Sequence, residues 1–288
     1  MPSFEVPEVD LSQYSMRQLV APPLALLVIA LTVVGASFAL TGWPADPGIE
    51  FTGGTELVVE SNAPQSEVAA AFDQPHDSIR QIGFEDDSSR YLVTFQSEAE
   101  QDLVGQANDA GFEVVQSQST SATFGAGTQQ LALMGVGIAF AGMSVVVFLL
   151  FRTFVPSIAV VLSAFSDIVV PIALMNVFAI ELSLGTVAAL LMLIGYSVDS
   201  DILLNNHVLR RSGSFWESVH RAMRTGVTMT VTSIVTMMVM TVVSYIFGIE
   251  LLTDIGLVLV FGLTTDLVNT YMLNVTLLRW YKFEGVSR

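Results

Sequence analysis

No cysteine occurs among the 288 residues, which excludes a disulfide framework, a thiolate metal site and a thiol nucleophile. Charge is also scarce. Only 13% of residues are Asp, Glu, Lys or Arg, about half the roughly 25% of an ordinary soluble domain, so that class is excluded too. Positive charge is scarcest of all: eleven basic residues face twenty-seven acidic ones, and Lys282 is the single lysine. With a formal charge of -16 the chain repels phosphate backbones, and no nucleic acid partner is expected. The three histidines, His76, His207 and His220, have no metal spacing. Glu85, Asp86 and Asp87 lack the calcium-loop pattern, and the pair Gly53 and Gly54 is followed by no phosphate-loop lysine. No metal and no cofactor are expected.

What the chain has in excess is apolar length, 52% hydrophobic residues and a mean hydropathy of +0.63. Six stretches approach the roughly 20 apolar residues that a bilayer core requires: 19–40, 131–151, 155–180, 184–205, 225–247 and 255–278. The first follows Arg17 but is longer than a signal-peptide core and lacks a small-residue cleavage site. Pro22 and Pro23 fall in its first turn, where missing amide donors matter least. Arg17, Arg152, Arg210, Arg211, Arg221, Arg224, Arg279, Lys282 and Arg288 all fall on one side of the resulting topology. The positive-inside rule then makes residues 1–18 and 279–288 cytoplasmic and residues 41–130 extracellular, in a multi-pass plasma-membrane protein in contact with membrane lipid. Near 208–224, Phe215, Trp216, Val219 and Met223 recur at helical spacing, which predicts a short amphipathic helix on the inner membrane surface.

The outer segment carries fifteen acidic residues against Arg80 and Arg90. Such acidity suits a protein bathed in strong brine, where salt screens self-repulsion. Its periodicity predicts strands at 56–60, 78–84, 90–95 and 111–116 and helices at 66–72 and 98–110, with Ser66 as a cap and Asp86, Asp87, Ser88 and Ser89 as the middle turn. The order strand, helix, strand, strand, helix, strand is the ferredoxin-like α+β pattern. The expected fold is thus a six-helix polytopic membrane protein with a ferredoxin-like domain between helices one and two.

Ionisable residues inside spans cost about 2.5–3.5 kcal/mol each even on lenient scales and so mark function. Asp167 in span three, Asp199 and Asp201 in span four and Asp266 in span six are ion-coupling candidates. Two positions apart on a helix is about 200°, so Asp199 and Asp201 cannot share one pocket, and one of them can face another subunit. Arg224 is the candidate counter-charge. Above it Thr225, Thr228, Thr230, Thr232, Ser233 and Thr236 either line a hydrated track or simply bond their own helix.

Two segments carry a family resemblance. GIEFTGGTEL, with Gly48, Glu50, Phe51, Thr52, Gly53 and Gly54, resembles the signature that opens the outer domain in the SecF family, within the resistance-nodulation-division superfamily. LIGYSVDSDILLNNHVLR is similar to that family's span-four element through Gly195 and Tyr196 and has the Asp-x-Asp form of archaeal members, while Ser166, Asp167 and Ile168 resemble its span-three motif. The resemblance covers essentially the whole chain. It implies a non-enzymatic auxiliary subunit of protein export that pairs with SecD, joins a SecYEG-type channel and acts on exported unfolded polypeptides, with a proton or other ion gradient as driving force. The bacterial ion-linked aspartate would fall on Ser200, between Asp199 and Asp201, and the family's span-five arginine near Thr228, one turn from Arg224. With the acidic composition, the Asp-x-Asp form implies a halophilic archaeal source. Two other functions fit less well: a small-molecule or lipid transporter subunit, for which the outer domain is small, and an intramembrane aspartyl protease built on Asp167 and Asp199, whose Tyr-Asp and Gly-x-Gly-Asp elements are missing.

Overall fold

The computed structural model describes residues 11–85, 88–210 and 214–285; the expected turn at Asp86 and Asp87 and the arginine at 211 lie outside them. Helix α1 (Met16–Thr41) begins three residues before the apolar run because Ser15 and Gln18 form a reciprocal capping box. Pro22 and Pro23 consequently sit in its second turn. Gly42, at φ 80°, ends it.

The domain expected to lie outside, and called the outer domain for that reason, follows as α2 (Ile49–Thr52), β1 (Gly54–Ser61), α3 (Gln65–Ala70), β2 (Ser78–Glu85), β3 (Ser88–Phe95), α4 (Glu100–Asp109) and β4 (Glu113–Thr120). The strands form one antiparallel sheet in the order β2-β3-β1-β4, the ferredoxin-like arrangement. Period-two alternation sends Leu57, Val59, Tyr91, Val93 and Phe95 to one face, where they pack with Val68, Leu103 and Ala107 of the helices and with Phe72 just after α3. Val58, Ile82 and Leu92 occupy the other face. Ser66 does not cap α3: Pro64 holds that position without a side-chain bond, its fixed backbone starting the helix one residue early.

The remaining helices are α5 (Ala122–Phe151), α6 (Phe154–Phe178), α7 (Leu184–Arg210), α8 (Phe215–Ile246) and α9 (Glu250–Val268), the last continuing through a π-helical turn, Asn269–Asn274, into α10 (Val275–Trp280). Six helices, counting α9 onward as one, are long and apolar enough to cross a membrane. Helix α6 is the most enclosed, while α1, α5 and α8 present mostly outward faces. The short surface helix expected near 208–224 is instead the first turns of α8. Phe215, Val219 and Ala222 bury themselves against Leu204, Val208, Val275 and Leu278, so the apolar stripe meets protein, and with no proline between Phe215 and Ile246 the segment runs on as one helix.

The signature segment is where the outer domain crosses the helices. Gly48 donates its N–H to the Leu182 carbonyl at 2.9 Å and starts α2, while Ile49 and Phe51 are buried. Gly53 and Gly54 have φ of +81° and +129°. A Cβ on Gly53 would lie 2.5 Å from the Ala122 nitrogen, one on Gly54 2.3 Å from the Phe95 carbonyl oxygen, and one on Gly125 of α5 2.7 Å from the Phe51 carbonyl oxygen. These are backbone-to-backbone contacts that cannot relax. Gly54→Ala or Gly125→Ala should therefore cost about 1–3 kcal/mol and lower the thermal midpoint of the detergent-solubilised protein. Gly127→Ala, with open space around its Cβ, is the comparison expected to leave the midpoint unchanged or raise it.

Candidate functional site

Three of the four carboxylates within the spans meet in one buried cluster. Asp167 of α6, Asp201 of α7 and Asp266 of α9 are 1%, 0% and 3% exposed. The helical face of α6 that carries Ser163, Ser166 and Asp167 is buried, and in α9 the spacing Asp266, Asn269, Thr270, Asn274 puts four polar residues on one side. The π-helical turn holds three of them, all fully buried. Such turns recur at functional sites.

Every bond in the cluster comes from a neutral donor. Asp167 accepts from the Ser197 hydroxyl at 2.6 Å and the Asn269 amide nitrogen at 2.7 Å. Oδ1 of Asp201 accepts from Thr270 at 2.9 Å and from the Asn274 amide nitrogen at 2.7 Å. Asp266 meets the Ser200 hydroxyl at 2.9 and 3.0 Å and Thr270 at 3.3 Å. Ser200 and Thr270 are themselves 3.3 Å apart. A hydroxyl has one proton, so Thr270 serves Asp201 or Asp266 but not both at once. The two carboxylates are thus joined by a short chain of hydroxyls able to reverse direction. Among the described residues no ion pair joins any of the three to Arg, Lys or His. Ionised and unpaired, each would carry a desolvation cost of several kcal/mol.

Asp199 stands apart. It is exposed and, with Tyr196, Ser200, Asn206, Met229, Thr230, Ser233 and Asp266, lines a pocket of about 390 Å³ between α7, α8 and α9. The pair Asp167 and Asp199, on which a protease would depend, is therefore not assembled. Arg224 is exposed on α8 and has no ion pair with these carboxylates among the described residues. Thr228 donates to the Arg224 carbonyl at 2.7 Å, and Thr232 and Thr236 likewise bond back along α8. These three hydroxyls bond their own helix, while Thr230 and Ser233 line the pocket. Of the GYSV element, Ser197 works on Asp167, Tyr196 reaches the pocket, and Gly195 has open space at its Cβ position. The residues missed from sequence are Asn269, Thr270 and Asn274. Their helical spacing from Asp266 was the available signal.

A second charged region ties the outer domain to the bundle. Arg80 of β2 pairs with Glu250 at the start of α9, lies 3.6 Å from Glu181 between α6 and α7, and donates to the Ala179 carbonyl at the end of α6 at 3.1 Å. Arg90 of β3 donates to the Phe247 carbonyl at 2.9 Å. Between them is a cavity of about 310 Å³ lined by Glu50, Glu56, Glu181, Glu250, Asp254 and Arg80 among others. Burial raises the Glu50 and Glu181 carboxyls above the usual range, each helped by a neighbouring acid. Burial, then Glu181, Glu250 and Glu50, push Glu56 up to about 8. Burial alone would lower Arg80, but Glu250, Glu181, Asp254 and Glu56 together raise it.

An α+β domain inserted after the first of six apolar helices, with three carboxylates buried in the bundle, defines a polytopic membrane protein. Its family follows from comparison with known proteins: the family described as protein export membrane protein SecD/SecF, C-terminal, matches residues 100–284. The chain is 67% identical to the protein-export membrane protein SecF of Haloferax volcanii and 60% identical to that of Haloquadratum walsbyi, in both cases over 100% of each chain. Its identity to the Pyrococcus furiosus SecF is 36%, over 97% of this chain and 99% of that one. The chain belongs to the SecD/SecF family of protein-export membrane proteins. It also superposes on the crystal structure of SecDF, a translocon-associated membrane protein from Thermus thermophilus, with a TM-score of 0.71 at 20% identity, covering 93% of this chain and 38% of that one. At that identity the likeness is one of fold.

Two outcomes follow from the geometry. Asp167→Leu strands the Ser197 and Asn269 donors and should cost about 1–3 kcal/mol per stranded group, whereas Asp199→Asn should change the thermal midpoint little. Because the folded-state pKa of Glu56 is raised, its contribution to stability is complete below about pH 4.5 and is lost as pH rises towards about 8. Glu56→Gln should match the parent protein below that window and become progressively more stable than it across the window, as read by melting at stepped pH.

Proposed function

We propose that this chain is an auxiliary subunit of the Sec protein-translocation machinery, working beside SecD at a SecYEG-type channel to promote export of unfolded polypeptides across the plasma membrane. The observation that carries the reading is end-to-end identity to relatives named protein-export membrane protein SecF. The fold likeness to a translocon-associated SecDF supports it. Both termini are cytoplasmic and residues 41–130 lie outside, a topology supported by the one-sided distribution of arginines. There the domain meets a chain leaving the channel.

Ion movement through the carboxylate cluster drives the work. Asp167, Asp201 and Asp266 form its buried part, joined by Ser200 and Thr270, and Asp199 with Asn206 supplies a polar patch on the bundle's flank suited to a SecD subunit. The grip of Arg80 on the outer ends of α6 and α9 gives that movement a route to the outer domain. In a haloarchaeal strain lacking its own copy, the affinity-tagged chain should co-purify SecD and restore secretion of a reporter. Asp201→Asn combined with Asp266→Asn should still co-purify SecD yet secrete no more than the deletion strain. Full secretion by the double variant would remove the ion-coupled role, and failure to recover SecD from native membranes would remove the partnership.

A further inference from the structure

Two of the chain's few cations rest on aromatic rings at the end of the bundle away from the outer domain. They are Arg279 of α10 and Lys282 of the π-helical turn that follows it, Tyr281–Gly285. The Arg279 guanidinium lies 5.2 Å from the centre of the Trp216 ring, and the Lys282 ammonium 5.8 Å from that of Phe215. Phe215 and Trp216 are in edge contact at 5.2 Å, and Phe283 meets Phe215 at 5.7 Å. Beneath the rings is protein: Phe215 is buried on Leu204, Val208, Val275 and Leu278. The platform is therefore fixed, and the ring contacts hold the cations on it. Their donors are largely unused. Lys282 gives one, to the Val208 carbonyl at 3.4 Å, and Arg279 gives none to the described residues.

Nor is their charge matched. Among the described residues Arg279 and Lys282 have no ion pair, and neither have Arg224 on α8 and Arg17 in the first turn of α1, both exposed at the same end. Arg221 is paired, with Glu217 at 2.9 Å. A chain of formal charge -16 thus presents uncompensated positive charge here. Depth narrows what can meet it. Arg279 is the first charged residue after the apolar run that ends at Leu278, which puts it where hydrocarbon gives way to headgroups. Trp280 and Phe283 beside it are 43% and 60% exposed, and aromatic rings at that level are interfacial residues. Residues three apart on a helix are surface neighbours, so one phosphate can take donors from both cations. A soluble anion would match the charge but leave the exposed rings uncovered; a lipid covers both.

We propose that Arg279 and Lys282, held on Trp216 and Phe215, form a binding site for the phosphate of an anionic membrane lipid whose chains lie in the bilayer beside α8 and α10. Basic pockets between helices at a membrane face bind such headgroups. Fixing the cations matters in strong salt. At about 1 M the screening distance is only about 3 Å, so a diffuse positive surface holds little, whereas cations already in place still bind at contact. The site needs the helices to cross a membrane but not the export role; the proposed topology adds only that the leaflet is the cytoplasmic one.

The probe is phosphatidylglycerol brominated high in its acyl chains, added in rising fraction to phosphatidylcholine bilayers that hold the full-length chain. Trp43→Phe and Trp280→Phe leave Trp216 as the sole tryptophan, so quenching reports lipid at the site, and brominated phosphatidylcholine is the reference. Phosphatidylglycerol should reach half-maximal quenching at a fraction at least about tenfold lower than the reference. Arg279→Gln or Lys282→Gln should each reduce that preference about fivefold, and the two together should remove it. Arg152→Gln, at the turn between α5 and α6, should leave it intact. The preference should also survive potassium chloride at about 1 M and an excess of inorganic phosphate. Equal quenching by the two lipids, or an unchanged preference in the double variant, overturns the site. Loss in strong salt overturns it in favour of diffuse attraction, and displacement by inorganic phosphate in favour of a soluble anion. The parent chain with all its tryptophans gives a reading that no reporter substitution can spoil: its thermal midpoint should be higher in phosphatidylglycerol than in phosphatidylcholine, and a midpoint indifferent to the headgroup overturns the proposal as well.

Discussion

Three acid side chains kept away from water with no buried base beside them set the terms for everything else in the bundle. Ionised carboxylates in a low-dielectric interior are tolerated only when paired or hydrogen-bonded, and this chain pairs none of the three with Arg or Lys among its described residues. It surrounds them instead with serine, threonine and asparagine drawn from α6, α7, α9 and the π-helical turn. Neutral donors lower the cost of the charge without cancelling it. A permanent salt bridge would cancel it.

Helix packing is subordinate to that requirement. For Ser200 of α7 to reach Asp266 of α9 the two helices must approach closely, and they do so where Gly262 faces Leu193: a Cβ on Gly262 would lie 2.2 Å from that side chain. Gly226 of α8 does the same for Tyr271, whose hydroxyl would be 2.0 Å from an added Cβ. Small residues at crossings let backbones come together where lipid offers no hydrophobic drive to do so. Helix α6, which carries Asp167, is correspondingly the most enclosed, and the helices around it turn apolar side chains outward.

Most of the architecture was readable from the sequence because it follows from periods and lengths: apolar runs of bilayer length, and alternation in the outer strands. The separation of Asp199 from Asp201 followed from the 3.6-residue period alone. What was not readable depended on which groups meet across helices. Threonines of α8 looked like a conduit because sequence cannot tell a hydroxyl that faces a neighbour from one that bonds its own carbonyl four residues back. Arg224 looked like a counter-charge because it is near in sequence, yet its side chain ends on the exposed face of α8. Asn269, Thr270 and Asn274 carry no charge and so stood out less than the aspartates they serve, although their spacing from Asp266 marks one helical face. The stripe at Phe215, Trp216 and Val219 was legible as amphipathic, but periodicity does not say whether lipid or protein covers it.

The link between the bundle and the outer domain has the same asymmetry in a wetter setting. Arg80 is one cation among Glu50, Glu56, Glu181, Glu250 and Asp254, so its contacts work against mutual repulsion of the rest. Its bonds go to the last carbonyl turn of α6 and the first residue of α9, the two helices that hold Asp167 at the middle of one and Asp266 in the last turn of the other. Displacement of either helix along its axis changes a contact on β2. Strong salt shortens the screening distance to about 3 Å at 1 M, which suppresses the repulsion across the cavity but spares the direct Arg80–Glu250 contact. At such salt the joint is attraction at contact with little repulsion behind it.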